Sequence, residues 1–169
     1  VHLASQKIPR YSSAMLTLNE NAVLLKNVIA KCIEDDTKLV FASTSDIYGR
    51  NPNLPYSETS EIVLGPTTVK RWAYAISKIY AEQLIIAYNT EYKLQFTIMR
   101  FFGSYGPNQN LTWWGGPQSV FIDKSLKNEP IEIHGDGKQT RTFTYIDDLV
   151  QGISKCMFHA KSTNEIFNI

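Results

Sequence analysis

Tyr74 and Lys78 stand four positions apart in the stretch RWAYAISK, which spans residues 71–78. Residues four apart on a helix share a face, so the Lys78 ammonium is expected to lie near the Tyr74 phenol and to favour its ionised form over a reference pKa of about 10. The hydroxyl of Thr44, within the earlier run Ser43-Thr44-Ser45, is expected to share the transferred proton. The spacing predicts a tyrosinate base. The chain has nine tyrosines, so the pair is weak by itself and the surrounding elements carry the argument.

The composition is that of one folded domain with a core. The 169 residues are 43% hydrophobic and 12% aromatic. Seventeen basic and sixteen acidic residues leave a formal charge of +1 without a basic run, so neither nucleic acid nor an anionic membrane is implied as a partner. No apolar run approaches the about 18 residues that span a bilayer. Cys32 and Cys156 have neither metal-ligand nor disulfide spacing, which favours a cytoplasmic protein without a bound metal.

Apolar patterns in the first hundred residues predict a parallel α/β sheet. Helical spacing covers residues 11–34 and 70–90, and short apolar runs at 38–43 and 95–100 are typical of strands that are buried on both faces. Residues 1–4, VHLA, read like the end of another buried strand. This order is that of a doubly wound sheet, whose ligands lie outside the carboxyl ends of the strands. The hydroxyl run is therefore predicted at the ligand-binding edge.

The remaining third of the chain is richer in loops. Residues 103–117 are predicted to be a loop region, in which the Trp113-Trp114 pair either packs under a loop or contacts a ligand. Alternation at residues 131–133 predicts a short strand that turns at 135–137. A last helix is predicted from Asp147, as its N-cap, to His159, followed by a final strand over residues 165–169.

Taken in chain order, six stretches resemble the extended short-chain dehydrogenase/reductase family, in particular its NAD-dependent sugar-nucleotide epimerases and dehydratases. The matching stretches are residues 1–4 and 42–49, Tyr74 with Lys78, residues 100–102 with 105–107, residues 135–137 with Arg141, and residues 167–169. The resemblance covers nearly the whole chain. It implies a Rossmann-like doubly wound sheet built from residues 1–102 and 146–169, with part of a substrate-binding region at 103–145.

The resemblance also implies roles for single residues. The loop beside the nicotinamide ribose and phosphates of NAD is matched by Leu3, Ala4, Ser5, Gln6 and Lys7. Asn21 matches a residue that holds this loop, and Phe102 matches one that packs near the nicotinamide. Catalytic roles are implied for Thr44, Tyr74, Lys78 and Asp46. Contacts to the cofactor are implied for Ser43, Thr44, Tyr74 and Lys78. The implied contacts to a nucleotide-diphosphate sugar substrate are Ser45, Gly103 and Arg141, and a homodimer through the two long helices is implied.

Simpler structural roles are open for several of these residues. Gln6, Lys7 and Asn21 are also compatible with solvated positions, and Ser43 and Ser45 with capping of a turn. Arg141 is equally able to form a surface ion pair with Asp147 or Asp148.

Two departures from the family pattern stand out. Gly103 occupies the position of a substrate-contacting asparagine. The sequence also contains no G-x-x-G-x-x-G, the loop that binds the dinucleotide pyrophosphate. Two βαβ units, or about 60 residues, are therefore expected to be absent in front of Val1. We expect the chain to bind NAD weakly or not at all.

Three functions remain open at this point. In all enzyme readings, Tyr74 removes a proton from a sugar hydroxyl while the adjacent carbon gives hydride to NAD, which produces a 4-keto sugar. The pair Ser45-Asp46 lacks the Asp-Glu of the dehydratases and has a carboxylate one methylene shorter than the Ser-Glu of the decarboxylases. Epimerisation is therefore preferred, a UDP-glucuronate-type decarboxylase or a dehydratase comes second, and a non-catalytic truncated fragment is the third reading.

Overall fold

The computed structural model describes residues 1–7, 13–113 and 115–169. Tyr11, in the first turn of the predicted first helix, and Trp114 of the tryptophan pair lie outside the described residues. Two compact units are present, one formed by Val1–Phe101 with Gly152–Ile169 and the other by Phe102–Gln151. The assignment of residues 103–145 to substrate binding stays a prediction.

Four α-helices, five strands and two short 3-10 helices make up the described residues. The helices are α1 (Ala14–Glu34), α2 (Trp72–Tyr92), α3 (Pro117–Leu126) and α4 (Ile146–Phe158), and the 3-10 helices are Ser45–Tyr48 and Ala160–Ser162. The strands are β1 (Leu39–Thr44), β2 (Phe96–Phe101), β3 (Gly103–Tyr105), β4 (Phe143–Tyr145) and β5 (Glu165–Asn168).

The first unit contains a parallel sheet with the strand order β1-β2-β5. β1 and β2 pair in register from Leu39 opposite Phe96 to Thr44 opposite Phe101. His2 extends the sheet beyond β1 through a parallel bridge to Phe41, with the His2 N–H donating to the Val40 carbonyl at 2.8 Å. The predicted parallel α/β architecture is confirmed.

Both faces of this sheet are buried, which explains its unbroken apolar strands. Side chains at alternate strand positions, among them Phe41 and Ile98, pack against α1 and α2. The intervening positions, such as Val40 and Met99, pack against Cys156 and its neighbours on α4. Strand alternation thus sends one set of side chains into each of two apolar layers. Among the described residues, no helix has the length and apolar character needed to cross a membrane.

Local hydrogen bonds and backbone conformation set the bounds of the two long helices. α1 begins after Ser13, whose Oγ accepts the Leu16 N–H at 3.3 Å. The predicted start of α2 at Lys70 is two residues early, because the Trp72 N–H donates to the Val69 carbonyl in a turn before the helix. α2 ends at Tyr92, and its C-cap Lys93 has a left-handed backbone (φ 62°) and donates its N–H to the last turn.

The second unit differs from the sequence-based expectation. Its strands are β3 and β4, which pair in parallel with Gly103 opposite Phe143, and its helix α3 opens with Pro117 in the first turn. The predicted strand at 131–133 is wrong, since these residues lie in irregular backbone with Ile133 60% exposed. Alternation over three residues marks a strand only when a partner is available, and the partner of β3 is β4.

Close packing explains why position 103 is glycine. A Cβ added to Gly103 would lie 2.8 Å from the Thr142 carbonyl oxygen and 2.9 Å from the Phe143 ring. The amide side chain found at this position in the resembling family therefore requires a different backbone path here.

We predict that Gly103→Asn lowers the free energy of unfolding by about 1–3 kcal/mol, because a backbone oxygen opposes the new side chain. Urea unfolding followed by circular dichroism measures the change. Gly152→Ala is the matched control, since its Cβ would meet only the movable Ile169 side chain at 3.3 Å within a helix. Equal midpoints for Gly103→Asn and the wild type would contradict the packing argument.

Candidate active site

Thr44 lies at the carboxyl end of β1, where the strand passes into a 3-10 helix. Its backbone is extended, and its Oγ1 accepts the Asp46 N–H at 3.2 Å, which caps that helix. The side chain is buried, and its hydroxyl lies close enough to the Tyr74 phenol to favour phenol ionisation. The end of β1 and the N-cap position of the 3-10 helix thus place a hydroxyl beside the tyrosine, as the sequence predicted.

Lys78 projects from α2 onto the inner surface of β1. Its Nζ donates to the Ala42 carbonyl at 2.8 Å, and it lies 4.6 Å from the centre of the Phe41 ring and 5.8 Å from that of Tyr74. Only 3% of the residue is exposed. Burial lowers the pKa of Lys78 to about 8, an effect that the Glu82 carboxylate opposes. Lys78 and Tyr74 therefore share a helix face, as their spacing indicated.

The expected low pKa of Tyr74 is wrong for this structure. Burial, and then the negative charge of Asp46, raise the pKa of Tyr74 to about 12, while the hydroxyls of Thr44 and Ser5 act in the opposite direction. The Lys78 ammonium donates to a backbone carbonyl instead of offsetting these effects. Tyr74 is accordingly a protonated phenol at neutral pH in the chain as it stands.

Asn21 holds the N-terminal loop against the helix that carries Tyr74. Its Oδ1 accepts the Gln6 N–H at 2.7 Å, and its Nδ2 donates to the Gln6 carbonyl at 3.1 Å and to the Ser77 Oγ at 3.0 Å. Ser77 Oγ in turn donates to the Tyr74 carbonyl at 2.8 Å. Leu3, Ala4, Gln6 and Lys7 remain exposed, while Ser5 is half-buried and reaches the Asn21 Oδ1 at 3.2 Å. Asn21 is therefore a buried residue that connects the N-terminal loop to α2, and not a solvated one.

A buried ion pair supports the same strand ends. Arg100 on β2 donates to both carboxylate oxygens of Glu82 on α2, at 3.1 and 2.7 Å. Ser43, next to Thr44, donates its hydroxyl to Glu82 as well. Arg100 also donates to the Tyr48 hydroxyl at 2.9 Å and to the Glu58 carbonyl at 2.8 Å. Ser43 thus has a partner within the protein.

The other predicted site residues belong to different surroundings. Ser45 is half-buried and Asp46 exposed in the 3-10 helix after Thr44. In the second unit, Phe102 is half-buried, and the exposed Arg141 donates to the Thr140 carbonyl at 2.7 Å. The ion pairs found in the described residues do not include one from Arg141 to Asp147 or Asp148. The grouping of Phe102, Gly103 and Arg141 with Tyr74 stays a prediction.

Comparison with known proteins establishes the family of this chain. The profile of the NAD dependent epimerase/dehydratase family matches residues 1–169. The chain belongs to this family. The extended short-chain dehydrogenase/reductase resemblance is thereby confirmed, and NAD is the cofactor on which the family depends.

Curated relatives in this family catalyse more than one reaction. The chain is 37% identical over 144 residues to the UDP-N-acetyl-alpha-D-glucosaminuronate decarboxylase of Bacillus cytotoxicus, covering 85% of the chain and 44% of that protein. It is 38% identical over 160 residues to a probable UDP-glucuronate 4-epimerase of Rhizobium meliloti, covering 90% of the chain and 43% of that protein. The chain therefore spans less than half the length of these relatives.

Solved structures of the family share the fold. Pal from Bacillus thuringiensis has a TM-score of 0.88 at 34% identity, over 99% of this chain and 53% of that one. The UDP-glucuronic acid 4-epimerase of Bacillus cereus, in complex with UDP-glucuronic acid and NAD, has a TM-score of 0.83 at 26% identity, over 100% of this chain and 52% of that one. The Rossmann-like prediction is confirmed by these matches.

The residues present fit the nicotinamide end of the family's cofactor. An exposed loop held by Asn21 adjoins a buried hydroxyl, a phenol and a lysine, which are the donors that a ribose and a carboxamide require. Within the described residues, no group of three or more His, Cys, Asp or Glu side chains is arranged to hold a metal ion.

Sequence reasoning missed the structural partners of the site. Glu82 follows Lys78 by four positions, the same spacing that links Lys78 to Tyr74, so the sequence carried a signal for it. Its pairing with Arg100 and Ser43 joins three separate elements and has no local signal. The contacts of Ser77 with Asn21 and with the Tyr74 carbonyl also have no local signal, because a serine within a helix is usually solvated.

We predict that Asp46→Asn lowers the pKa of Tyr74 from about 12, because it removes a negative charge that opposes phenolate formation. Ultraviolet absorbance titration follows tyrosine ionisation, and subtraction of the Tyr74→Phe curve isolates this residue from the other tyrosines. Asp36→Asn, at the opposite end of β1, is the control and should leave the midpoint unchanged. An equal midpoint in Asp46→Asn and the wild type would contradict the electrostatic account.

Proposed function

We propose that the chain carries the catalytic residues of an NAD-dependent nucleotide-sugar epimerase that forms a 4-keto intermediate. The observation that carries this proposal is the convergence of Thr44, Tyr74 and Lys78 at the carboxyl end of β1. A hydroxyl, a phenol and an ammonium form the group that proton removal from a sugar alcohol requires.

The substrate class is inferred from relatives and from the chemistry of the site. The relatives described above act on UDP-linked uronic acids by name, and both the epimerase and the decarboxylase reactions begin with oxidation of a sugar hydroxyl. We propose a nucleotide-diphosphate sugar as the substrate, with Ser45, Gly103 and Arg141 contributing to its binding. Arg141 is exposed and keeps most of its guanidinium donors available for a diphosphate.

Each catalytic side chain has one task in this proposal. Tyr74 accepts the proton of the sugar hydroxyl, and Thr44 Oγ1, whose lone pair is already engaged by Asp46 N–H, donates its own proton to the same oxygen or to the phenolate. The chemistry that NAD would supply when bound is acceptance of the hydride from the adjacent carbon. The loop 3–7, Ser43, Lys78 and Phe102 are the residues proposed to hold it.

The proposed reaction requires Tyr74 to ionise. A pKa of about 12 leaves little phenolate at neutral pH, so activity should rise with pH as the phenol ionises. A positive charge brought near the phenol lowers its pKa. Lys78, whose Nζ lies 5.8 Å from the centre of the Tyr74 ring, is the cation that we propose for this role.

Decarboxylation of a UDP-uronic acid is the second candidate, and Asp46 is the observation that favours it. Its carboxylate is exposed, one residue from Ser45 and close enough to Tyr74 to raise the phenol pKa. A curated relative that is 37% identical is a decarboxylase. A non-catalytic role for this chain is the third candidate.

A homodimer is proposed through the outer faces of α1 and α2. These helices pack side by side over the sheet, and their outward sides carry exposed apolar residues, namely Met15, Leu16, Leu18, Val23, Ile76 and Tyr80. A second copy would cover this apolar surface in the same way that α1 and α2 cover the sheet.

We predict that Tyr74→Phe lowers hydride transfer by about 10²–10⁴-fold, because one oxygen is deleted with little change in volume. Single-turnover absorbance of reduced nicotinamide gives the rate, measured with bound NAD and a UDP-sugar in a form of the enzyme that carries this chain together with the pyrophosphate-binding loop. Tyr80→Phe, two turns further along α2, is the matched control. Equal rates in Tyr74→Phe and the wild type, or no turnover in the wild type, would favour the non-catalytic reading.

The two enzyme candidates predict opposite results for Asp46→Asn. For an epimerase, the variant should keep most activity with a UDP-hexose, and the wild type should release no carbon dioxide from a UDP-uronic acid. Product chromatography and carbon dioxide release distinguish the outcomes. Carbon dioxide release by the wild type that disappears in Asp46→Asn and persists in Asp46→Glu would establish the decarboxylase instead.

We predict that Leu18→Glu shifts the chain toward monomer, because it places a charge in the proposed apolar contact. Sedimentation equilibrium measures the mass over a concentration series. Leu54→Glu introduces the same charge at an exposed leucine outside α1 and α2 and should leave the mass unchanged. A wild-type chain that is monomeric at all concentrations would contradict the dimer.

A further inference from the structure

A second charged side chain lies buried on the Lys78 face of α2. Glu82 stands one helical turn after Lys78, and the two residues are 4% and 3% exposed. Buried carboxylates are uncommon unless they are paired, and neither Tyr74 nor the proposed substrate needs this one directly. Its position one turn from Lys78 suggests a role that involves this lysine.

The Glu82 carboxylate is held in place by its hydrogen-bond partners. Arg100 Nε and an Nη donate to its two oxygens at 3.1 and 2.7 Å, and the Ser43 hydroxyl donates to one of them. Arg100 is itself held by the Tyr48 hydroxyl and the Glu58 carbonyl. A paired guanidinium of this kind holds a carboxylate in a single orientation.

Lys78 has a different set of contacts. Its ammonium donates to the neutral Ala42 carbonyl, and the ion pairs of the described residues join Glu82 to Arg100 and not to Lys78. Burial disfavours the charged form of Lys78, and the Glu82 charge is the influence that favours it. Glu82 therefore acts on Lys78 through space, at the distance of one helical turn.

Glu82 also contacts the strand that carries Thr44. Ser43 immediately precedes Thr44 in β1, so the bond from Ser43 to Glu82 fixes the strand end that presents the threonine hydroxyl. One carboxylate thus touches the strand of Thr44 and lies on the helix of Tyr74 and Lys78.

We propose that Glu82 is a positioning residue of the candidate active site, which places its carboxylate one helical turn from the Lys78 ammonium and ties the Thr44 strand end to α2. The inference rests on the proposed function, in which Lys78 acts as a cation. Without Glu82, Lys78 loses its proton at lower pH, so the cation that the proposed function requires is present over a narrower pH range.

The protonation state of Lys78 tests this proposal directly. Carbon-13 NMR of the lysine ε-carbons follows the titration of each lysine, and Lys78→Met assigns the signal. Glu82→Gln keeps the side-chain volume and removes the charge, so the Lys78 midpoint should fall by at least about 1 pH unit. Ser43→Ala is the control that removes a bond to Glu82 and keeps its charge, and its midpoint should stay near that of the wild type.

Other titrating groups near Lys78 do not obscure this window. His2, from the strand next to β1, has its pKa lowered from 6.5 by burial and by Lys78, so it is neutral where Lys78 titrates. Tyr74 ionises only near pH 12, above the window. Arg100 stays charged throughout.

Glu82→Gln leaves the buried Arg100 without its anionic partner and could therefore unfold the protein. A second variant provides a test that does not depend on this single substitution. The double variant Glu82→Gln with Arg100→Gln removes both charges, and it should still lower the Lys78 midpoint because Glu82, and not Arg100, influences this lysine. A folded variant of either kind with an unchanged Lys78 midpoint would overturn the proposal. Because the titration needs neither NAD nor substrate, a lowered midpoint together with an active Tyr74→Phe enzyme would instead reject the proposed function alone.

Discussion

The ion pair between Arg100 and Glu82 connects the elements that carry the candidate catalytic side chains. It joins the carboxyl end of β2 to the middle of α2, and the hydroxyl of Ser43 adds the end of β1. Both side chains are largely buried, with 7% and 5% exposed, so each charge depends on the other to compensate for its lost hydration. Removal of one partner from such a pair typically costs about 3–5 kcal/mol, whereas replacement of both by apolar groups is often neutral. The pair therefore contributes more to geometry than to net stability.

This geometry sets the distance between strand and helix at which the site works. The apolar residues of α1, α2 and the sheet provide a layer that holds the helix down, but apolar contacts are not directional. Hydrogen bonds from Arg100 and Ser43 to one carboxylate fix the rotation of α2 about its axis. That rotation points Tyr74 and Lys78 toward Thr44. Specific polar contacts inside an apolar layer thus convert a stable packing into a defined arrangement of side chains.

Local patterns in the sequence predicted the elements of the first unit and much of its site. The periodicity of α1 and α2 and the apolar runs of β1 and β2 recur in the structure because burial on both faces of the sheet leaves few alternatives. The meeting of Thr44 with Tyr74 followed from parallel topology. The pKa of Tyr74 did not, because it depends on burial and on Asp46, which no spacing rule weighs. The pairing of β3 with β4 was also missed, since strands of three residues have too little pattern to be recognised.

Thr44 ends one element and begins the next, and this double use has a consequence for how the site can change. A residue at this position must extend the strand, accept the Asp46 N–H to start the 3-10 helix, and still offer a proton to a neighbouring oxygen. Serine and threonine are the side chains that combine a short reach with an acceptor and a donor. Any other substitution alters the backbone path and the chemistry together. New reactions on this framework are therefore more accessible through substitutions after the strand, at Ser45 and Asp46, which lie in the 3-10 helix and not in β1.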